Sequence, residues 1–536
     1  MEQRRTLIAI VLSIAILLLW DMLFVRPNTK KPLPNANEKE VSATTAERKV
    51  KPGVPANVAK RLAKVNQQGT SPGRKIVVDT PLYRAVWNTK GAELVSLRLK
   101  KYRETLGAGS PPVEMIHAGM PRLKIKGGMD TSSINFQTRA SSMIEVKRGP
   151  FELKFTSPDM GGLAITHVYT INPGTYEIGY RTIFTNTTKE PMVFNADISM
   201  EEAYSKKKSR SRYIFEGPVL LNGKHLEEFK LSRIKKPGEF RQFEGPIKWF
   251  GFEDKYFLKT LIVKDPLDSE LYIKRTRDMD VDLSYGLSEI AIPAGSKQSL
   301  DMLFYIGPKE LKTLKLAGYD LNKALDFGFF DFFAKPMLIS LNWINSYIHS
   351  YGWSIIILTV IIKLLLYPLS LKSFKSMKEL QKIQPLMKEI QAKYKDDKSR
   401  LNQELMKLYS EHKVNPMGGC LPMLLQIPIL FALYRIFLSA IELRHTPFHI
   451  VGTWLPDLSA KDPYYITPIL MGLSWFIQQK MTPMGGDPTQ QKMMLFMPVI
   501  FTIFFLNFPS GLVIYWLVSN VLSIAQQAYI NRVHTI

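Results

Sequence analysis

The sequence predicts a membrane protein with two parts, a membrane α-helical bundle of six spans and a large antiparallel β-sandwich domain. Three observations predict this fold class: an apolar run at the N-terminus, alternating apolar and polar side chains over residues 76–326, and a series of apolar segments after residue 350. Alternation is the period of a half-buried β-strand. An apolar run of about 20 residues is what a helix needs to cross a bilayer.

Composition limits the classes of protein to consider. The 536 residues allow two or three domains, and the net charge of +24 favours a partner of negative charge. Basic residues beside apolar segments are more simply interpreted as topology signals than as a nucleic-acid surface, so we predict no nucleic-acid binding. The single cysteine, Cys420, excludes an internal disulfide framework. A domain outside the cytoplasm must then be held by its apolar core alone.

Residues 1–25 are predicted to be an uncleaved signal-anchor span. Arg4 and Arg5 precede the apolar run Leu7–Leu19, and no small-residue cleavage site follows it. Because basic flanking residues stay in the cytoplasm, the N-terminus is expected there and the following residues outside. Residues 26–75 are rich in Pro, Lys, Asn, Ala and Thr and lack periodicity, which predicts a flexible linker.

Residues 76–326 are predicted to be the periplasmic β-sandwich domain. Turn signals at Asn172-Pro173-Gly174 and Asn222-Gly223 separate alternating runs. The clearest strand faces are Phe151, Leu153 and Phe155 in one run, and Tyr176, Ile178, Tyr180, Thr182 and Phe184 in another. The basic run from Lys206 to Arg212 is interpreted either as a solvated loop or as a contact to anionic lipid headgroups or an acidic partner.

Residues 327–349 are predicted to form an amphipathic helix at the outer membrane–water interface. Helical spacing places Met337, Leu341, Ile344 and Ile348 on one face. The alternative is a core helix of the sandwich, which the position directly before a span disfavours.

The apolar segment 350–371, predicted to be the second span, contains one lysine, Lys363. A charge near the centre of a span costs about 2.5–3.5 kcal/mol, so it needs a reason. Thr359 lies four residues earlier on the same helical face, which gives the span one polar stripe. Two explanations remain open from this segment alone. In the first explanation, the Lys363 side chain extends to the lipid headgroups, because Pro368 marks the helix end nearby. In the second, Lys363 belongs to a functional polar site.

Residues 372–417 are predicted to form a cytoplasmic helical hairpin. The stretch Lys372–Lys413 carries 11 Lys and Arg against 6 Asp and Glu, a net charge of +5, which is typical of a cytoplasmic loop. Apolar residues at helical spacing lie on both sides of a polar turn at 395–399; they are Met377, Leu380, Met387, Ile390 and Tyr394, then Leu401, Leu405 and Leu408. The hairpin is either merely solvated or a docking arm for a partner.

Residues 418–536 are predicted to hold spans three to six, in the apolar segments 420–441, 464–479, 493–508 and 511–530. A helix of 16 residues is only about 24 Å long, so the bilayer must thin or neighbouring helices must shield it. The third span carries Gln426, and the last places Trp516, Asn520, Ser523 and Gln527 on one face. Polar side chains are unfavourable in contact with lipid hydrocarbon. This face and the Lys363 stripe are therefore expected to contact each other or to line one hydrated cavity. That expectation favours a functional Lys363.

Catalysis has no support in the sequence. His445 and His449 have the spacing of metal ligands, but Pro447 interrupts them. No nucleophile motif or phosphate loop is recognisable, so we predict neither an enzyme nor a cofactor or metal. Two other classes remain as alternatives: a polytopic secondary transporter, which would show internal repeats, and a membrane-tethered periplasmic sugar-binding domain, which would need convergent carboxylates or histidines.

Long motifs resemble the YidC/Oxa/Alb family of membrane protein insertases, in its Gram-negative form with a large periplasmic domain. They are YGWSIIILTVIIKLLLYP at 351–368, VNPMGGCLPMLLQIPIL at 414–430, DPYYITPILMG at 462–472, MPVIFTIFFLNFPSGLVIYW at 497–516 and SNVLSIAQQ at 519–527. The resemblance implies a groove open to cytoplasm and lipid and closed outside. It implies that substrate slides along the third and fifth spans. Lys363 stands where the groove's basic residue is usually arginine, and Trp516 where well-known members have tyrosine.

The resemblance therefore implies a membrane protein insertase and chaperone of the bacterial inner membrane, acting alone or with the Sec translocon. The expected groove residues are Lys363, Thr359, Gln426, Trp516, Asn520, Ser523 and Gln527. The expected partners are nascent membrane proteins, the Sec translocon, the ribosome through the hairpin, and anionic lipids. Both termini are expected in the cytoplasm.

Overall fold

A computed structural model describes residues 72–126, 129–204, 214–264, 268–277, 280–287, 289–395, 397–412, 414, 421–449, 454–481 and 488–533. The chain divides into two compact units, one ending at Leu325 and the other beginning at Asp326. The predicted signal anchor, nearly all of the predicted linker and the basic run from Lys206 to Arg212 lie outside the described residues.

The first unit is rich in β-structure. Its strands are β1 Lys75–Asp79, β2 Tyr83–Asn88, β3 Glu93–Arg103, β4 Pro112–Glu114, β5 Arg122–Ile125, β6 Met129–Asp130, β7 Met143–Glu145, β8 Phe151–Thr156, β9 Leu163–Ile171, β10 Glu177–Asn186, β11 Met192–Phe194, β12 Ala196–Ala203, β13 Gly217–Asn222, β14 His225–Glu228, β15 Phe240–Glu253, β16 Phe257–Val263, β17 Asp268–Arg275, β18 Asp280–Gly286, β19 Ile290–Ile292 and β20 Lys297–Pro308. A short helix, α1 (Leu311–Ala317), follows them.

Two large sheets build this unit. One has the strand order β4-β3-β2-β1-β7, and the other has thirteen strands, whose main path runs β6-β5-β12-β18-β17-β15-β16-β20-β10-β9-β8. The rings of Trp87 on β2 and Tyr169 on β9 lie 5.5 Å apart, and the Tyr169 hydroxyl donates to the Ala92 carbonyl. Aromatic side chains between the sheets thus form part of the core.

The strand faces predicted from alternation are confirmed. On β10, Ile178, Tyr180, Thr182 and Phe184 are all buried, and the residues between them are more exposed. The Asn222-Gly223 hairpin joins β13 to β14, with Gly223 at φ +57° as such turns require. The prediction of a purely antiparallel domain was wrong in one place. Strand β7 pairs with β1 in parallel, with Val77 opposite Met143. Alternation encodes which face is buried and not the direction of a neighbouring strand.

The second unit is helical. Its helices are α2 Asp331–Ile348, α3 Tyr351–Leu365, α4 Tyr367–Lys382, α5 Gln384–Lys393, α6 Lys398–Glu411, α7 Leu421–Ser439, α8 Ile466–Met481, α9 Pro488–Phe505 and α10 Ser510–Val533. Among the described residues, Ser510–Ile530 alone is long and apolar enough to cross a membrane as a single helix. The bent pair α3 and α4 passes the same test when taken together.

Helix α2 packs against α3 and α7 within the helical unit, so it is not a core helix of the β-rich unit. Its buried residues are Ala334, Leu338, Leu341 and Ile344. Ile348, which the sequence analysis placed on the apolar face, is instead 44% exposed. Ile348 lies on the same face as the buried Leu341 and Ile344, but it is the last residue of α2, where no further turn covers it. Phe332 and Trp343, on the opposite face, are exposed.

The structure differs from the single helix expected over residues 350–371. Helix α3 ends at Leu365, and α4 leaves it at an angle of 62°. Pro368 lies in the first turn of α4, where its ring cannot accommodate the carbonyl four residues earlier. Lys363 therefore lies in the last turn of α3, just before the bend.

The predicted hairpin is built from the end of α4 with α5 and α6. Ile383, Met387, Leu408 and Val414 form its buried core, with Leu380, Ile390, Leu405 and Tyr409 packed around them. The polar turn falls between Lys393 and Lys398, and the Asp397 side chain accepts from the Arg400 backbone N–H at the start of α6.

Candidate functional site

The candidate site lies where α10 presents polar side chains to three neighbouring helices. We call Ser519, Asn520, Ser523 and Gln527 the polar hub; all four are buried, at 8% exposure or less. Helical spacing brings them to adjoining positions over about two turns of α10. A buried polar side chain in an apolar bundle is costly unless it is hydrogen-bonded, so the partners of the hub define the site.

Lys363 reaches the hub from α3. Its Nζ donates to the Ser523 hydroxyl over 2.7 Å, and that hydroxyl in turn donates to the Ser519 carbonyl over 2.9 Å. The hydrogen-bond partner of the Lys363 side chain in the described structure is thus a neutral hydroxyl and not a carboxylate.

Thr359 lies one helical turn before Lys363 and is completely buried. Its hydroxyl donates to the Ile355 carbonyl of its own helix over 2.7 Å. The structure therefore does not bring Thr359 into the hydrogen bonds of the hub, and its buried hydroxyl is satisfied locally.

Two further helices contact the hub. From α7, Gln426 Nε2 donates to the Ser519 hydroxyl over 2.8 Å. From the hub, Asn520 Nδ2 donates to the Ser474 hydroxyl of α8 over 3.2 Å and to the Met471 carbonyl over 3.4 Å. Gln527 Nε2 donates to the Met481 carbonyl over 2.7 Å. One face of α10 is thus hydrogen-bonded to α3, α7 and α8.

Trp516 has a different role from the other residues on its predicted face. Its ring lies 5.5 Å from the Trp475 ring of α8 and 5.0 Å from the Phe505 ring of α9. It belongs to an aromatic cluster that begins one turn away from Asn520. The structure places Trp516 beside the hub and among apolar rings.

Sequence reasoning missed two hydrogen-bonding partners, Ser474 and Ser519, as members of the site. Ser519 lies three residues after Trp516 and four before Ser523, so the same helical spacing could have identified it. Ser474 carried a weaker signal, a small polar residue in an apolar helix, which becomes meaningful only when Asn520 is seen opposite it.

Apolar side chains are exposed on α8, which bonds to the hub, and on α9, which packs against α8. On α9, Val499, Ile500, Ile503 and Phe504 are all more than half exposed. On α8, Ile469 and Leu473 are exposed to a similar extent. Exposed apolar side chains in this number are rare in contact with water and fit lipid or an apolar segment of another chain. Helix α8 thus carries both a hydrogen-bonding partner of the hub and exposed apolar side chains.

No group of His, Cys, Asp and Glu side chains that could hold a metal ion occurs among the described residues.

Comparison with known proteins covers almost the whole chain. Residues 343–535 match the family model of the 60Kd inner membrane protein, and residues 75–340 match that of the YidC periplasmic domain. The membrane protein insertase YidC of Syntrophus aciditrophicus is 41% identical over 549 residues, covering 99% of each chain. That of Geobacter metallireducens is 40% identical, covering 99% of this chain and 98% of its own. A crystal structure of an active YidC insertase aligns with 88% of this chain and 96% of its own, at 17% identity and a TM-score of 0.38.

Proposed function

Because the chain belongs to the YidC family of membrane protein insertases, we propose that Lys363 and the polar hub form the groove through which it passes its clients. The protein is a membrane protein insertase of the inner membrane with a periplasmic domain, and its substrates are nascent membrane proteins. This membership replaces the alternatives of a secondary transporter and a tethered sugar-binding domain.

The observation that carries the proposal is the Lys363–Ser523 hydrogen bond. A lysine held in the last turn of an apolar helix by a neutral hydroxyl stays protonated only where water reaches it, and we propose that water reaches Lys363 in this groove. A hydrated, positively charged groove offers a client's polar tail and its carboxylates an alternative to hydrocarbon. The attraction grows with the negative charge of the tail.

The hub has a second role in the proposal, which is to hold the groove's walls together. Lipid gives apolar helices little reason to associate, so hydrogen bonds between helices and close packing fix their arrangement. Lys363, Gln426 and Ser474 each come from a different helix and all reach α10. We propose that α10 is the element around which α3, α7 and α8 are positioned.

The apolar part of the client leaves the groove along the exposed side chains of α9, together with α7. In the proposal, partition of this segment into lipid supplies the driving force, since burial of apolar surface is favourable. The exposed Val499 and Ile503 on α9 support this path because they offer an apolar surface on a helix that packs against α8. Helix α8, with 16 residues, is only about 24 Å long, which favours a thinned bilayer at this point.

The proposed topology has six spans: the N-terminal apolar run, α3, α7, α8, α9 and α10. The hairpin with its net charge of +5 lies in the cytoplasm, as do both termini. Helix α2 lies along the outer interface, which its exposed Phe332, Trp343 and Tyr347 support because aromatic side chains favour that zone.

The hairpin is proposed as a docking arm. Its exposed lysines, among them Lys375, Lys388 and Lys395, suit an acidic surface such as anionic lipid or the ribosome. The Sec translocon is proposed as a further partner, as the family resemblance implies.

Reconstitution tests the proposed function. The purified full-length chain is placed in liposomes with a short-tailed, single-span client, and protease protection measures the fraction of client inserted. We expect insertion well above that of empty liposomes without nucleotide. Equal insertion into empty liposomes would contradict an autonomous groove and favour a role that depends on the Sec translocon.

A further inference from the structure

The short helix α1 exposes both apolar and basic side chains. Leu316 is 79% exposed, the largest exposure of any large apolar side chain in the described part of the β-rich unit. Lys312, one helical turn before it, and Lys315, directly before it, are exposed as well. Leu311 and Leu314 are buried and attach the helix to the unit. Helix α1 is thus held by one face and presents the other, with its leucine and two lysines, at the surface.

The turn after α1 keeps a tyrosine at the surface. Gly318, Tyr319 and Asp320 all have positive φ, at +79°, +50° and +60°. Residues other than glycine adopt this conformation rarely, and it persists only where surrounding contacts fix it. Here the Asp320 carboxylate accepts from Lys248 Nζ over 2.9 Å and forms an ion pair with Lys323 over 3.5 Å. The turn fixed in this way leaves the Tyr319 side chain 42% exposed, close to the end of α1.

These exposed side chains have the chemistry of an interfacial anchor. We call the following residues the α1 surface: Lys312, Lys315, Leu316 and Tyr319. Residues 309–325 contain four lysines against two acidic residues, and one of those acids, Asp320, is already paired with Lys248. Lysines beside an apolar side chain suit the phosphates of anionic headgroups. Leucine favours the headgroup–acyl boundary, and tyrosine is enriched at the same level. The α1 surface therefore complements an anionic lipid surface in both charge and polarity.

The position of α1 in the chain favours lipid as the partner. A single exposed leucine is common on soluble proteins and needs no partner. Here, however, only residues 326–330 separate the end of the β-rich unit from α2, and five residues reach at most about 18 Å. Exposed aromatic side chains continue along this connection, with Phe329 at 69% and Phe332 at 80% exposure. Because α2 is proposed to lie on the outer interface, the bilayer surface is within reach of the end of the β-rich unit.

From these observations we propose that the α1 surface binds anionic phospholipid headgroups at the outer face of the membrane and so holds the β-rich unit to the bilayer by a second contact besides its covalent attachment. The proposal rests on the topology proposed above. Lys312 and Lys315 supply the electrostatic attraction, and Leu316 and Tyr319 enter the boundary between headgroups and acyl chains. The contact should therefore depend on the charge of the lipid.

The test measures contact with lipid in the full-length chain. Leu316→Cys in a Cys420→Ser background is labelled with an environment-sensitive fluorophore and reconstituted in liposomes of phosphatidylcholine and phosphatidylglycerol. An interfacial segment lies about 5–10 Å into the headgroup–acyl boundary, so a lipid with a nitroxide at that depth in both leaflets should quench the label. Leu106→Cys, which is 50% exposed in the turn after β3, is the matched control, and its label should keep its fluorescence. Quenching no stronger at residue 316 than at residue 106 would overturn the proposal.

Charge reversal distinguishes anionic headgroups from apolar contact alone. Lys312→Glu/Lys315→Glu should reduce quenching at residue 316 severalfold, and so should the replacement of phosphatidylglycerol by phosphatidylcholine. Lys189→Glu/Lys297→Glu makes the same change of charge at two other exposed positions of the β-rich unit and should leave the quenching unchanged. Quenching that responds neither to the lipid charge nor to the reversal at 312 and 315 would overturn the assignment to anionic headgroups. Should that reversal prevent folding, Lys312→Gln/Lys315→Gln replaces it, with the same expected direction.

Client insertion, measured in the same vesicles, keeps this proposal apart from the proposed function. Quenching at residue 316 in a chain that inserts no client would support the lipid contact and contradict only the proposed groove. Insertion by a chain whose residue 316 is not quenched would overturn the lipid contact and leave the groove in place.

Discussion

The ammonium of Lys363 lies 2.7 Å from the hydroxyl of Ser523, although 160 residues separate the two along the chain. A hydroxyl accepts this bond while donating its own proton to the Ser519 carbonyl. A carboxylate at the same place would have formed an ion pair with the lysine, and a hydroxyl does not. The contact between α3 and α10 therefore fixes the position of the Lys363 side chain, and in the proposed groove its charge is available to a client.

The hub should contribute measurably to the stability of the bundle. Hydrogen bonds between membrane helices are worth about 0.6 kcal/mol on average in double-mutant cycles. We expect a coupling of that size between Gln426→Ala and Ser519→Ala, because the amide donates directly to the hydroxyl. The measurement is the unfolding free energy of the detergent-solubilised chain for both single variants and the double variant.

The control for this cycle is Gln426→Ala combined with Ser370→Ala. The Ser370 hydroxyl donates to the Leu366 carbonyl of its own segment and not to Gln426. These two changes should add without coupling. A Gln426–Ser519 coupling no larger than this background would argue against the hub as the element that joins the helices.

Sequence patterns predicted the parts of this molecule that depend on local repetition. The strand face of Ile178, Tyr180 and Phe184 and the turn at Asn222-Gly223 follow from alternation and turn chemistry, both of which are local. The parallel β1–β7 pair was not predictable, since it joins segments more than 60 residues apart. The meeting of the polar faces of α3 and α10 was predictable, because polar side chains are costly in contact with lipid. The choice of Ser519 and Ser474 as partners was not predictable, because it depends on how the helices are rotated about their axes.

A buried carboxyl group should make the stability of the β-rich unit depend on pH. Burial raises the pKa of the Glu93 carboxyl from 4.5 to about 7, although Arg122 opposes the rise. The folded state therefore binds this proton more tightly than the unfolded state. The stabilisation is complete below pH 4.5 and is lost as the pH rises through about 7.

Glu93→Gln removes this dependence. Arg122 keeps a partner, since its Nη1 lies 2.6 Å from Glu201 Oε2. The variant should be more stable than wild type near pH 8, by about 3 kcal/mol at most, and its stability should change less between about pH 5 and 8. Unfolding of the β-rich unit, followed by proteolysis in the full chain, measures both. The exposed Glu145→Gln is the control, and an unchanged pH slope in Glu93→Gln would refute the assignment.

The proposed topology predicts which segments a protease reaches from the periplasm. Protease added to spheroplasts should cut within residues 72–325 and spare the hairpin of α5 and α6, because the net charge of +5 retains the hairpin in the cytoplasm. Inverted membrane vesicles should give the opposite result. Cleavage of the hairpin in intact spheroplasts would overturn the six-span arrangement.

The β-rich unit should be largely dispensable for insertion itself. Every side chain of the hub and Lys363 belongs to the helical unit that begins at Asp326. A deletion of residues 76–325 that keeps the N-terminal apolar run, α2 and everything after it should therefore support growth when the wild-type protein is depleted. Loss of growth with a normal amount of the shortened protein in the membrane would show that this unit takes part in insertion.

Substitution of Lys363 tests what the positive charge does. If the charge attracts clients, Lys363→Arg should be tolerated, Lys363→Ala should impair insertion, and Lys363→Glu should impair it more. The defect should be largest for a client whose translocated tail carries carboxylates, because attraction scales with the charge on the tail. The measurement is the insertion of one client with acidic residues in its tail and of the same client with those residues replaced by glutamine or asparagine.

The alternative explanation, a lysine that merely reaches towards the headgroups, predicts a different outcome. Lys363→Ala would then remove a costly charge from an apolar helix and leave the insertion of both clients unchanged. Ser523→Ala provides an independent comparison, since it removes the neutral partner and keeps the charge. It should weaken insertion less than Lys363→Ala and preserve the preference for the acidic tail. An equal loss for both tails in Lys363→Ala would mean that the lysine supports the structure of the groove and does not attract the client.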